Sequence, residues 1–198
     1  MTFKNSWVRL LVRGAAVVVV LTAAVLVWNR LPYPVDVEAP FYAHGTVGQK
    51  VDTPTIELTV AGAKVGNQLK TRNALIKSTG HWIMIDGTVT ALRGPGYASA
   101  NLVIGDRTYF PSERAPFGTF QNAARPLAAG ITQRGAWVFE VPNDALESGP
   151  AELRVWVGTG SAIPRFFPRI PSVSVPLDDG HAPRVQTIIP PNAIEGAQ

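Results

Sequence analysis

The run Gly14–Trp28, GAAVVVVLTAAVLVW, holds no charged residue between Arg13 and Arg30. A bilayer asks for roughly 20 apolar residues in helix. Trp7, Val8, Leu10, Leu11 and Val12 lengthen the run toward that figure, with Arg9 and Arg13 snorkelling back to headgroups. The pattern predicts one membrane span near the N-terminus. A cleaved signal would instead place small residues after the apolar core. Here the apolar core gives way to Trp28, Asn29, Arg30, Leu31 and Pro32, while Thr22-Ala23-Ala24 lies inside the run. Trp28 and Tyr33 suit the interfacial aromatic belt. The sequence therefore favours a retained signal anchor, N-terminus inside.

Charge supports that sorting. The chain has 18 Lys+Arg against 14 Asp+Glu. Lys4, Arg9, Arg13 and Arg30 flank the anchor and every acid lies beyond it, leaving 14 basic against 14 acidic residues in the body. The basic excess sits where the positive-inside rule wants it. No clustered basic face of the kind nucleic acid requires is visible, so the sequence predicts no nucleic-acid partner. Cysteine is absent, which removes disulfides, thiolate nucleophiles, Cys zinc sites and a lipid-modified N-terminal Cys. The remaining 160 residues or so suffice for one domain stabilised by its own core.

Five segments are predicted. They are a cytoplasmic tail and helix start over 1–13, the transmembrane anchor over 14–30, a Pro-rich spacer over 31–45, a β-domain over 46–176 and a loose tail over 177–198. Leu31–Pro40, LPYPVDVEAP, disfavours helix and tends to extended geometry. Thr55–Val60 alternates with period two, and Ala61–Lys70 reads as a second extended segment. His81–Ala91 is the strongest strand, with Ile83, Ile85, Gly87 and Val89 on one face and Trp82, Met84, Asp86 and Thr88 on the other. Asn101–Phe110 reads as a hairpin turning at Gly105-Asp106, and Pro111–Pro126 as a surface loop. Arg134–Val141 and Glu152–Val157 alternate again, Ser172–Val175 closes the set, and Val185–Ile189 is a candidate edge strand. Some seven to nine short strands in one domain predict an antiparallel, immunoglobulin-like β-sandwich behind one transmembrane helix.

Four stretches, WIMIDGTVTAL, ANLVIGDRTYFPS, PLAAGITQRGAWVFEVP and AELRVWV, succeed one another between Trp82 and Val157. Their order resembles the telokin-like, immunoglobulin-like extracytoplasmic domains of unknown function on Gram-positive lipoproteins and membrane-anchored proteins. The chain departs from them in having an anchor instead of a lipid-modified Cys, and around Leu92-Arg93, where the family's Asn is replaced. The resemblance implies a fold and an extracytoplasmic location and carries over no catalytic residue. Arginine over lysine, with abundant Ala, Val and Gly, fits a high-GC actinobacterial source.

Chemistry-bearing motifs are sparse. His44, His81 and His181 lack metal spacing, and two methionines give little soft ligation for copper. Asp178-Asp179-Gly180-His181 lacks the alternating oxygens of a calcium loop and reads as a solvated turn. Gly45–Lys50 misses phosphate-loop spacing, and Gly158–Ser161 is no nucleophile elbow. The sequence predicts no cofactor, no metal and no catalytic residue. Pro164–Pro171, PRFFPRIP, offers Arg165, Phe166, Phe167 and Arg169 as an aromatic and basic ridge for a protein partner or a lipid surface. The alternative buries one ring under a loop. Trp82 and Trp156 face away from the main apolar stripes, forming either a second small core or a docking face if their strands adjoin.

The predicted role is a non-catalytic binding or scaffolding domain outside the plasma membrane, as an accessory to an envelope assembly. The alternatives are a small envelope hydrolase with acids and histidines gathered in space, and a secreted ligand-binding module.

Overall fold

The long hairpin that runs down the β-domain and back is built from the β-branched, alternating residues that favour pleated, half-buried surface. The computed structural model describes residues 4–30, 41–123, 125–158, 169–178, 180–191 and 194–195. Two compact units result, Met1–Ala39 and Pro40–Gln198.

The first holds helix α1, Lys4–Trp28. Its stretch Leu11–Trp28 has a mean hydropathy of 2.3 and no buried share.

The second is a β-sandwich. In chain order its strands are β1 (Tyr42–Thr46), β2 (Lys50–Asp52), β3 (Ile56–Lys70), β4 (Leu75–Ala91), β5 (Tyr97–Ile104), β6 (Arg107–Tyr109), β7 (Thr132–Val141), β8 (Ala151–Gly158), β9 (Ile170–Val175), β10 (Arg184–Ile188) and β11 (Ile194–Glu195). One sheet runs β1-β9-β8-β5-β6 and the other β10-β3-β4-β7-β11, with β2 also on β3. The inner faces meet in a core that includes Leu58, Ile83, Ile85, Leu102, Trp137, Phe139, Leu153 and Val155.

Several boundaries correct the sequence reading. The 15 residues of β3 form one strand, because bulges after Val60 and after Gly66 reset its faces without ending the pairing with β4. The spacer's expected end at 45 falls inside β1. The tail expected to be loose carries β11 on β7 and β10, which pairs parallel with β3 and is the edge strand expected over Val185–Ile189. The sandwich is not wholly antiparallel, since β1 also runs parallel to β9. The stretch 111–126 is no mere surface loop: Phe120 plugs the core, its ring 4.4 Å from that of Trp137. A Cβ on Gly135 would come within 3.1 Å of the Phe120 ring, so that close approach depends on the glycine.

Candidate functional site

The sequence has Trp82 and Trp156 share a sheet face if their strands adjoin, and the strands do not adjoin. Trp82 lies in β4 of the six-stranded sheet and Trp156 in β8 of the five-stranded one, both fully buried. Trp82 anchors a second small core on the outer face of its sheet, with Leu69, Met84, Ala115, Val138 and Ile188. Its indole N–H donates to the Ile76 carbonyl at 3.1 Å. The Arg114 guanidinium sits 5.3 Å from its ring centroid and is held there by the Glu140 carboxylate at 2.9 Å. These contacts spend both Trp82 and Arg114 on structure.

Trp156 belongs to a polar outer face. Asn101, Arg154, Ser172 and His44 occupy one register row across β5, β8, β9 and β1. Arg154 stacks 4.4 Å from the Tyr42 ring centroid and lies 3.4 Å from Glu152, which accepts from the Ser172 hydroxyl at 3.0 Å. Of the other predicted contact residues, Arg169 is exposed just before β9, while Arg165, Phe166 and Phe167 lie outside the described residues.

The histidines stay apart on β1, β4 and the turn before β10. Burial, with Arg184 nearby, pushes the His81 imidazole below its ordinary value. His181 Nδ1 lies 2.8 Å from Asp178 Oδ1, and this contact holds the carboxyl below its usual range. The Asp178 side chain also accepts from the Gly180 amide at 3.0 Å, which makes a local Asx-type turn. No group of three His, Cys, Asp or Glu gathers for a metal among the described residues.

The feature that motif reading missed is an open cleft of about 520 Å³ lined by Tyr97, Phe117, Gln121, Asn122 and Ala123. Tyr97 opens β5, directly after the turn from β4. Phe117 stands on a loop tied by its own bonds. The Thr119 hydroxyl donates to the Pro116 carbonyl at 2.9 Å, and Asn122 Nδ2 to the Ala115 carbonyl at 2.8 Å. Phe120, rooted in the core, fixes that loop from below and leaves Phe117 73% exposed. The Gln121 amide has both its oxygen and its nitrogen shielded from solvent with no hydrogen-bond partner among the described residues. Such a group costs about 1–3 kcal/mol unless something supplies both a donor and an acceptor. The cleft has the size of a ligand pocket, and its described lining carries no charge.

Around the cleft, the same end of the sandwich exposes Phe41, Leu92 and Ile131 together with Arg93, Arg125 and Arg169. Strand direction gathers them. Tyr97 pairs with Gly158 at the end of β8, and Tyr42 with Ile170 at the start of β9. The Leu127 and Gly96 backbones bond each other at 2.7 and 3.2 Å, and the Gly130 amide donates to Ala91 at 2.7 Å. Sequence scanning misses this grouping because its members come from four separate segments of the chain.

No protein-family model matches this chain, and no curated protein does either. Among solved structures it is similar to an uncharacterized β-sandwich protein from Clostridium difficile 630, at 14% identity and a TM-score of 0.44, over 73% of this chain and 99% of that one.

Proposed function

We propose that the chain is a single-pass protein of a bacterial plasma membrane, N-terminus inside, presenting a non-catalytic binding or scaffolding β-sandwich outside. The observation that carries this reading is α1. Its 25 residues extend about 37 Å at 1.5 Å per residue, against roughly 30 Å of hydrocarbon. Its 18-residue apolar window buries nothing, and Lys4, Arg9 and Arg13 all precede or open that run. An apolar helix with no protein face to cover it is stable in lipid.

Strand order supports the finer fold reading. β3-β4-β7 opposite β9-β8-β5-β6 follows the A-B-E and G-F-C-C′ order of immunoglobulin domains. The partner is a protein of the envelope, and Arg165, Phe166, Phe167 and Arg169 are its proposed contacts. Trp82 and Trp156 present no exposed ring and drop out of that set.

The absence of cysteine makes topology directly measurable. Single variants Ser6→Cys and Asp106→Cys, treated in intact cells with a membrane-impermeant maleimide, distinguish the two sides. Labelling of Asp106→Cys alone is expected, with Ser6→Cys reacting only after permeabilisation. The reverse pattern overturns the orientation. Release of labelled protein into the medium points to the secreted module.

A further inference from the structure

We infer that the Tyr97 end of the sandwich is a lipid-contact surface that lies against an anionic bilayer. Phe41, Tyr97 and Phe117 enter the headgroup boundary, and Arg93, Arg125 and Arg169 meet lipid phosphates. This inference rests on the anchored reading above, takes Arg169 for lipid in place of the protein partner, and adds an occupant for residues to which that reading gives none.

Three observations carry it. The first is composition at one place. Phe41 is 77% exposed, Phe117 73% and Tyr97 39%, and among the other described Phe, Tyr and Trp rings of the body Phe110 alone, at 54%, is as open. Interfacial aromatic rings alternating with arginine are the pattern by which surfaces sit in headgroups. The second is charge. Among the described residues the three arginines are exposed and take part in no ion pair, while of the acidic residues toward this end, Asp52 and Glu57 are held by Lys50 at 3.4 and 2.9 Å and Glu195 lies in β11 opposite Gln133. Unspent positive charge beside aromatic rings fits an anionic leaflet. The third is connectivity. Phe41, the first described residue of the body, is at this end, and the ten residues 31–40 reach at most about 36 Å. The opposite hairpin tip offers a control. Among the described residues it has Lys70, Arg72 and Lys77 with exposed Ala74, Leu75 and Ile189 but no exposed aromatic ring, so it matches the charge without the rings.

The test uses the full chain in lipid nanodiscs, with a polarity-sensitive fluorophore on Gly94→Cys or on Asn73→Cys. A side chain at Gly94 meets nothing within 4 Å. In discs containing phosphatidylglycerol, the Gly94 probe should shift to the blue and be quenched by nitroxide-labelled lipid, and the Asn73 probe should do neither. Arg93→Gln, Arg125→Gln and Arg169→Gln together should weaken docking about 100-fold, at about fivefold per basic residue. Raised salt should act the same way. Equal signals at the two positions, or equal protection of Gly94 in pure phosphatidylcholine, overturn the inference and leave the anchor standing. A chain that does not enter discs at all overturns both readings.

Discussion

Trp137 shows how much one residue can fix. Its indole N–H donates to the Ala98 carbonyl of the opposite sheet at 2.8 Å, and its ring meets Phe120. One side chain therefore ties β7 to β5 and roots the loop that raises Phe117. Trp137→Phe removes the cross-sheet bond and part of the ring, and should cost about 2 kcal/mol in urea unfolding. The fluorescence of a probe on the 116–119 loop should change with it. Asp86 is a second residue with a measurable signature. Burial pushes its carboxyl above the ordinary 3.8, and this outweighs the opposing pull of Lys64 and Arg134. A carboxyl raised on folding favours the protonated native state, so its penalty sets in as pH climbs past the unfolded value and is complete above the folded one. Asp86→Asn should therefore raise Tm at pH 7, and the gain should vanish below pH 3.8. A Tm gain that persists unchanged at pH 3 would mean burial is not the cause.

At the scale of elements, alternation was enough where a strand has one face on the main core. Ile83, Ile85 and Val89 face that core and Trp82 and Met84 the second one, as their spacing predicts. The turn at Gly105-Asp106 sits between β5 and β6, and Gly105 adopts a φ of 60°, which glycine takes without strain. Pairing partners far apart in sequence leave no such mark. β10 lies 119 residues from its register partners in β3, and its fit depends on Gly66, where a Cβ would come within 2.9 Å of both Ile188 and the Val185 carbonyl. Nothing in RVQTI reveals that neighbour. The cleft was hidden for the same reason, since nothing in the sequence joins Tyr97 to Phe117 until strand direction brings their segments to one end. Gly66→Val should peel β10 from the sheet. Hydrogen exchange of the 184–188 amides should accelerate by at least tenfold while β4 and β7 stay protected, and uniform loss of protection would show that β10 is integral to the core.

The molecule as a whole consists of two units with different surfaces. Pro40–Gln198 forms its own compact unit, whose core draws on both sheets, whereas Leu11–Trp28 has no protein surface over it. Removing residues 1–30 subtracts apolar area that water would otherwise have to cover. It subtracts none of the strands that define the sandwich. The remaining body should be soluble, show a β-dominated circular-dichroism spectrum and unfold in one cooperative step. A helical spectrum, or aggregation that detergent reverses, would mean that the sandwich depends on the helix. The truncated body also isolates the lipid question from the anchor. Without a tether, the proposed lipid contact predicts that binding to phosphatidylglycerol vesicles depends on the Tyr97 end, so salt and Phe117→Ser should each release it.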